Sequence, residues 1–185
     1  MDVLLVGGIA VALLALSFIY YFNLFVRLRN KADNCWAQVD VQLKLRYDVV
    51  PNLVEVVKAY AKQEKDVFTQ VAKIRSDAMA ASGVAQKGEK EVQLSNAISG
   101  LFAIAESYPK MKSDQHFLEL MRQISNIEGK IAFARQFYND AVLEYNTSTQ
   151  NFPGMLVASA TGFGSREYFQ ADDAAKKSVI VDLKK

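Results

Sequence analysis

Residues 3–26 read VLLVGGIAVALLALSFIYYFNLFV, 24 positions without a charged side chain. A bilayer core is crossed by about 20 apolar residues in helical form, so this run is long enough to span a membrane. A core helix is the first rival, but a helix apolar on every side is hard to hide in a domain of this size. A cleaved signal peptide is the second. It fits poorly, because Met1 and Asp2 supply no basic leader and the apolar run exceeds the usual length. A lipoprotein is not expected, since Cys35 follows the polar Asp33 and Asn34 well beyond the run. Arg27, Arg29 and Lys31 follow the span at once, and the positive-inside bias puts the remainder of the chain in the cytoplasm with the N-terminus outside. Tyr20, Tyr21 and Phe22 then fall near that interface, and Gly8, Ala12 and Ala15 share a face that would let copies of the span approach.

Composition constrains the chain beyond the span. It has 185 residues in all, 51% hydrophobic and 23% charged, with only three prolines and nine glycines, which suits one ordered domain rather than a disordered tail. Apolar residues recur at three and four rather than alternating, so the fold class is all-α. A net charge of +2, with basic and acidic residues interleaved, gives no footprint for nucleic acid. The single cysteine excludes an internal disulfide and any CxxC site.

The expected architecture is a transmembrane helix (1–26) continuing into an elongated antiparallel bundle of about four long helices (27–151), then a Gly-rich apolar segment with a charged tail (152–185). No Pro or Gly intervenes between Gly8 and Pro51, so the span should run on as the first bundle helix, with Ala32, Trp36, Val39, Leu43 and Tyr47 on one stripe. Val41 and Leu45 lie off that stripe, and a helix apolar on two sides is buried in its own bundle or shared with another copy. Pro51 is well suited to a first helical position and pushes Val50 out of the α region, which predicts a corner at 48–52 and a second helix from there to about Met79. Its stripe, positions 53, 57, 60, 64, 67, 71, 74 and 78, carries one acid, Glu64. Ser82 and Gly83 should end it. A third helix carries Leu94, Ile98, Leu101, Ala105 and Tyr108 and closes at Pro109. A fourth, capped by Ser113 with Asp114 in its first turn, carries Phe117, Leu120, Ile124, Ile127, Ile131, Ala134, Tyr138, Ala141 and Tyr145 and runs to about Gln150. Residues 152–169, FPGMLVASATGFGSREYF, mix apolar side chains with Pro153, Gly154, Gly162 and Gly164, as in a folded-back or partner-bound loop with one short helix. Residues 171–185 are expected to fray.

The run NCWAQVDVQLKLRYDVVPNLVEVVKAYAKQEKDVF, with IEGKIAFARQFYNDAVLEYNTSTQNFP and the later GFGSREYF, resembles the LemA family of bacterial membrane proteins, in the family's order and over nearly the whole chain. The resemblance implies one N-terminal span at the bacterial inner membrane, a long-helix bundle, and a role linked to envelope stress or to membrane proteases. Gln63 stands where relatives often carry histidine, which weakens a metal or proton-switch role at that position. The motif residues invite structural readings. Glu64, alone on an apolar stripe, calls for a basic partner such as Arg46 or Arg135, since a buried unpaired carboxylate is costly. Arg135, Asn139 and Asn146 share a face suited to tying the corner at Asp48, Pro51 and Asn52. Phe163, Tyr168 and Phe169 complete the structural or interaction candidates with Trp36, Tyr138, Pro153 and Gly162.

No catalytic residue, cofactor or metal is expected. His116 has no Glu three residues before it, so the Glu-x-x-His pattern of di-iron bundles is absent, as are HExxH, GxSxG and phosphate loops. Two function classes remain: a membrane scaffold that forms homo-oligomers through its bundle, and an adaptor whose apolar C-terminal segment binds a protease or other membrane-protein client.

Overall fold

A computed structural model describes residues 2–170, and the fraying expected of residues 171–185 lies outside them. The described residues form six helices and no strand: α1 (Asp2–Tyr60), α2 (Lys65–Ala80), α3 (Val84–Glu106), α4 (Pro109–Lys112), α5 (Gln115–Gln150) and α6 (Gly154–Thr161). The fold class is therefore all-α. The helix beginning near the N-terminus is long and apolar enough to cross a membrane. Two units partition the chain, one formed by Met1–Asp40 with Phe133–Glu167, the other by Val41–Ala132 with the segment from Tyr168 onward.

In the first unit, α1 and α5 run alongside each other, as the Trp36–Tyr138 ring contact at 5.1 Å and the Lys31–Glu144 ion pair show. Buried positions recur at helical spacing on both: Phe25, Leu28, Ala32 and Val39 on α1, Ala134, Tyr138, Ala141 and Tyr145 on α5. Beside Phe25, Val157 and Ala158 of α6 complete a small core with Tyr21 and Phe163 packed against it.

The second unit departs from expectation at Pro51. No corner forms there, and Pro51 lies inside α1. Proline deprives a helix of one N–H, which leaves the carbonyl four residues back without its partner. Here that carbonyl belongs to Tyr47, and the Arg75 Nε of α2 donates to it at 2.7 Å. The guanidinium supplies the bond that the ring removes, and the helix continues.

The chain instead breaks at residues 61–64, which hold neither Gly nor Pro. Side chains from far along the sequence fix this turn: the Tyr60 hydroxyl donates to Asp114 at 2.7 Å, and the Gln63 amide donates to the Tyr108 hydroxyl. Glu64 is thus not an acid within a helical stripe but the N-cap residue of α2, where the positive end of the helix dipole favours a carboxylate. Gly83 takes a positive φ of 81° before α3, a backbone conformation open to glycine, where the Ser82-Gly83 pair was expected to end the preceding helix.

Two smaller corrections concern the start of α5. Pro109 does not close α3 but opens the one-turn α4 at its first position. Asp114, rather than Ser113, caps α5, its Oδ1 accepting from the Phe117 N–H at 3.0 Å. Ser113 instead donates back to the Pro109 and Lys110 carbonyls. The Tyr60 hydroxyl bond, and then the Phe117 N–H, hold the Asp114 carboxyl below its ordinary range. Along α5 the expected stripe is buried from Phe117 through Tyr145, with only Leu120 half-exposed.

Candidate functional site

The second unit holds a charged group at its centre. Arg46 of α1 is 1% exposed, and its guanidinium pairs with Glu91 of α3 and, at 2.6 Å, with Glu128 of α5. It also donates to the Ser95 hydroxyl at 2.8 Å and to the Glu91 carbonyl at 3.4 Å. The neighbouring Tyr47 hydroxyl contacts the Glu91 carboxylate and the Ala78 carbonyl. Desolvating a charge is expensive unless it is paired and hydrogen-bonded, and here one guanidinium faces two carboxylates. The half-exposed Glu128 leaves the excess negative charge at the wet end of the cluster.

Chemically this arrangement is a clamp. Both acids are engaged by the one guanidinium. Three helices are tied by one side chain. Taking the guanidinium away alone would strand Glu91 in the interior, a change that costs about 3–5 kcal/mol in comparable buried pairs. Arg46 is therefore not the partner of Glu64. Glu91 was missed by the sequence reading, although it had the same signal as Glu64, an acid three positions before Leu94 on the buried face of α3.

A second constellation, in the first unit, fastens the segment after α6 onto α5. The Tyr138 hydroxyl donates to the Glu167 carbonyl and the Tyr145 hydroxyl to the Gly164 carbonyl, each at 2.9 Å. Asn146 makes two bonds with one residue, donating to the Arg166 carbonyl at 2.9 Å and accepting from its N–H at 2.8 Å. Its amide thus stands in for a neighbouring strand. The Arg166 guanidinium reaches Asp33 at 2.5 Å and the Arg29 carbonyl at 3.3 Å, both on α1. Burial pushes the Tyr138 and Tyr145 phenols above their ordinary value, outweighing the Arg166 charge that pulls them down.

Tyr138 and Asn146 therefore serve a strap, not a corner. Asn146 binds residue 166 rather than 48–52, and Asp48 and Asn52 are exposed. Arg135 and Asn139 are half-buried on α5. Gly162 ends α6 at φ 76°, a left-handed conformation that favours glycine, and Pro153 precedes α6 as its N-cap residue. Phe163 packs its ring on Phe22 and Phe25. In the second unit Phe169 is buried beside Gly88 of α3, while Tyr168 is exposed.

An open cleft of about 710 Å³ lies between α2 and α3, walled by Val67, Val71, Ile74, Ala97 and Ile104. Among the described residues no group of three or more His, Cys, Asp or Glu side chains is placed to hold a metal.

A family model described as the LemA family matches residues 35–183. Among curated proteins, magnetosome proteins MamQ 2 and MamQ 1 of Paramagnetospirillum magneticum and magnetosome protein MamQ of Magnetospirillum gryphiswaldense are similar to this chain. Each is 24% identical over 185 residues, covering 86% of this chain and 68% of the relative.

Proposed function

The chain belongs to the LemA family, and on that premise we propose that it is a membrane-anchored scaffold that assembles with further copies of itself and serves envelope homeostasis. In this reading residues 3–26 cross the bacterial inner membrane once, the N-terminus lies outside, and the rest of the chain is cytoplasmic. The observation that carries self-assembly is the second apolar face of α1: Val41 is 56% and Leu45 44% exposed, on the side of the helix opposite Val39 and Leu43. Among the described residues nothing in the second unit covers them, and a self-complementary helix face is an economical way to join identical subunits. The clamp at Arg46 and the strap at residues 163–167 support the same reading, since both stiffen rather than expose chemistry.

The adaptor reading, in which the C-terminal apolar segment grips a protease or another membrane-protein client, draws on the exposure of Phe152, Met155 and Leu156. The mass of the detergent-solubilised protein separates the two. A species of many subunits is the expected result. A monomer that copurifies with one other protein overturns the scaffold in favour of the adaptor.

A further inference from the structure

Between Tyr145 and Ser165 the chain runs 21 residues without a charge, and α6 lies within that stretch. Its inner face is Gly154, Val157 and Ala158, all buried. This face packs on the end of the apolar run that the scaffold reading places in the bilayer. A Cβ added at Gly154 would meet Phe25, Tyr21 and the Ser148 carbonyl oxygen, and the ring of Phe163, just past α6, lies 5.7 Å from Phe22 and 5.5 Å from Phe25. The first charge on α1 after the run comes only at Arg27. Whatever depth residues 21–25 occupy in the membrane, α6 shares it.

The outer face is apolar as well. Phe152, two residues before α6, is 78% exposed, and within the helix Leu156 is 60% and Met155 49% exposed, with Asn151, Ser159 and Ala160 exposed beside them. On the span itself Phe18 and Phe22 are exposed as well, and the Phe22 ring meets that of Phe163 just past α6. We propose, resting on the membrane-anchored reading, that α6 is a second membrane-contacting element: a helix lying in the bilayer interface against the end of the span, with Phe152, Met155 and Leu156 seated among the lipid chains. Lipid already surrounds the adjoining surface of α1, so it is the occupant that meets this face without any further partner. An interfacial helix normally carries a charged outer side and inserts its apolar side. Here the roles are divided differently: the inner apolar face is taken by the span, and the outer one by lipid.

The test uses the full-length chain in phosphatidylcholine–phosphatidylglycerol vesicles, in a Cys35→Ser background, with an environment-sensitive fluorophore on Met155→Cys or Leu156→Cys. Gln136→Cys on α5 serves as an exposed control and Leu14→Cys as a marker of the span. The expected result is a blue-shifted emission at 155 and 156, quenched by nitroxide lipids labelled near the headgroup, and a Gln136→Cys label quenched only by aqueous iodide. Labels at 155 and 156 that follow the control overturn the proposal. So does a blue shift that ignores the lipid quencher and grows with the ratio of protein to lipid, which assigns the face to a second copy. If the Leu14→Cys label also escapes deep lipid quenchers, the anchor reading itself fails. If it is quenched while 155 and 156 are not, only this inference does.

Discussion

Tyr47 and Pro51 are a single problem at the scale of one residue. The proline ring deletes the N–H that would have reached the Tyr47 carbonyl, and the Arg75 Nε takes its place at 2.7 Å. If the bond exists to mend what Pro51 breaks, its value must depend on Pro51. Arg75→Ala is expected to lower stability by about 1–2 kcal/mol, the range for a carbonyl left without a charged donor. In a Pro51→Ala background the N–H returns, and the same Arg75→Ala change should cost about half as much or less. Denaturant unfolding of the four proteins closes the cycle. Equal costs in the two backgrounds would mean that Arg75 holds α2 for some other reason and that the proline is tolerated without it.

At the scale of elements, the strap depends on protons that two buried phenols must keep. Tyr138 and Tyr145 bond carbonyls through their hydroxyls, and burial raises both above the ordinary 10.0. A group whose folded value is raised contributes stability that is whole below 10.0 and is lost as pH climbs through the higher folded values. Alkaline titration is therefore expected to show phenolate absorbance arriving late from these two residues and to loosen the strap as it arrives. Tyr138→Phe and Tyr145→Phe should each cost about 1 kcal/mol near neutrality, remove one residue's share of the late phase, which Tyr60 also joins through its bond to Asp114, and speed tryptic cleavage after Arg166. Cleavage at an unchanged rate in the double variant would show that Asn146 and the Arg166–Asp33 pair hold the strap without help. The stripe of α5 that places these tyrosines was legible in sequence, because a three-four repeat has one geometric meaning. The turn at 61–64 was not. It carries no breaker, and its ties to Tyr108 and Asp114 come from residues about fifty positions away. Glu64 did mark that boundary, but as an acid at a helix start, a meaning that only the neighbouring break reveals. Glu91 stayed hidden for a related reason: an acid on a buried face reads as an error in the pattern until its guanidinium is found.

For the whole molecule, a helix long and apolar enough to cross a membrane and the helical class could be read directly from residues 3–26 and the helical periodicity, whereas the proposed assembly rests on faces whose partners lie outside a single chain. The second apolar face of α1 makes a quantitative demand. Burying a side chain the size of Val or Leu is worth about 1.5–3 kcal/mol, so losing Val41 and Leu45 from a contact should weaken it by at least about 3 kcal/mol, roughly a hundredfold in affinity. Val41→Glu with Leu45→Glu keeps good helix formers at exposed positions, so the fold should survive. The double variant is expected to retain its helical circular dichroism and to fall from the many-subunit species to a monomer when its mass is measured in detergent. α5 supplies a counter-test within the first unit, where Phe133 and Phe137 are also exposed, one turn apart. A Val41 and Leu45 variant that still assembles, beside a Phe133→Ser and Phe137→Ser variant that does not, would move the contact from α1 to α5. If both variants assemble like the parent chain, neither face joins the copies, and the scaffold reading loses the surface on which it was argued.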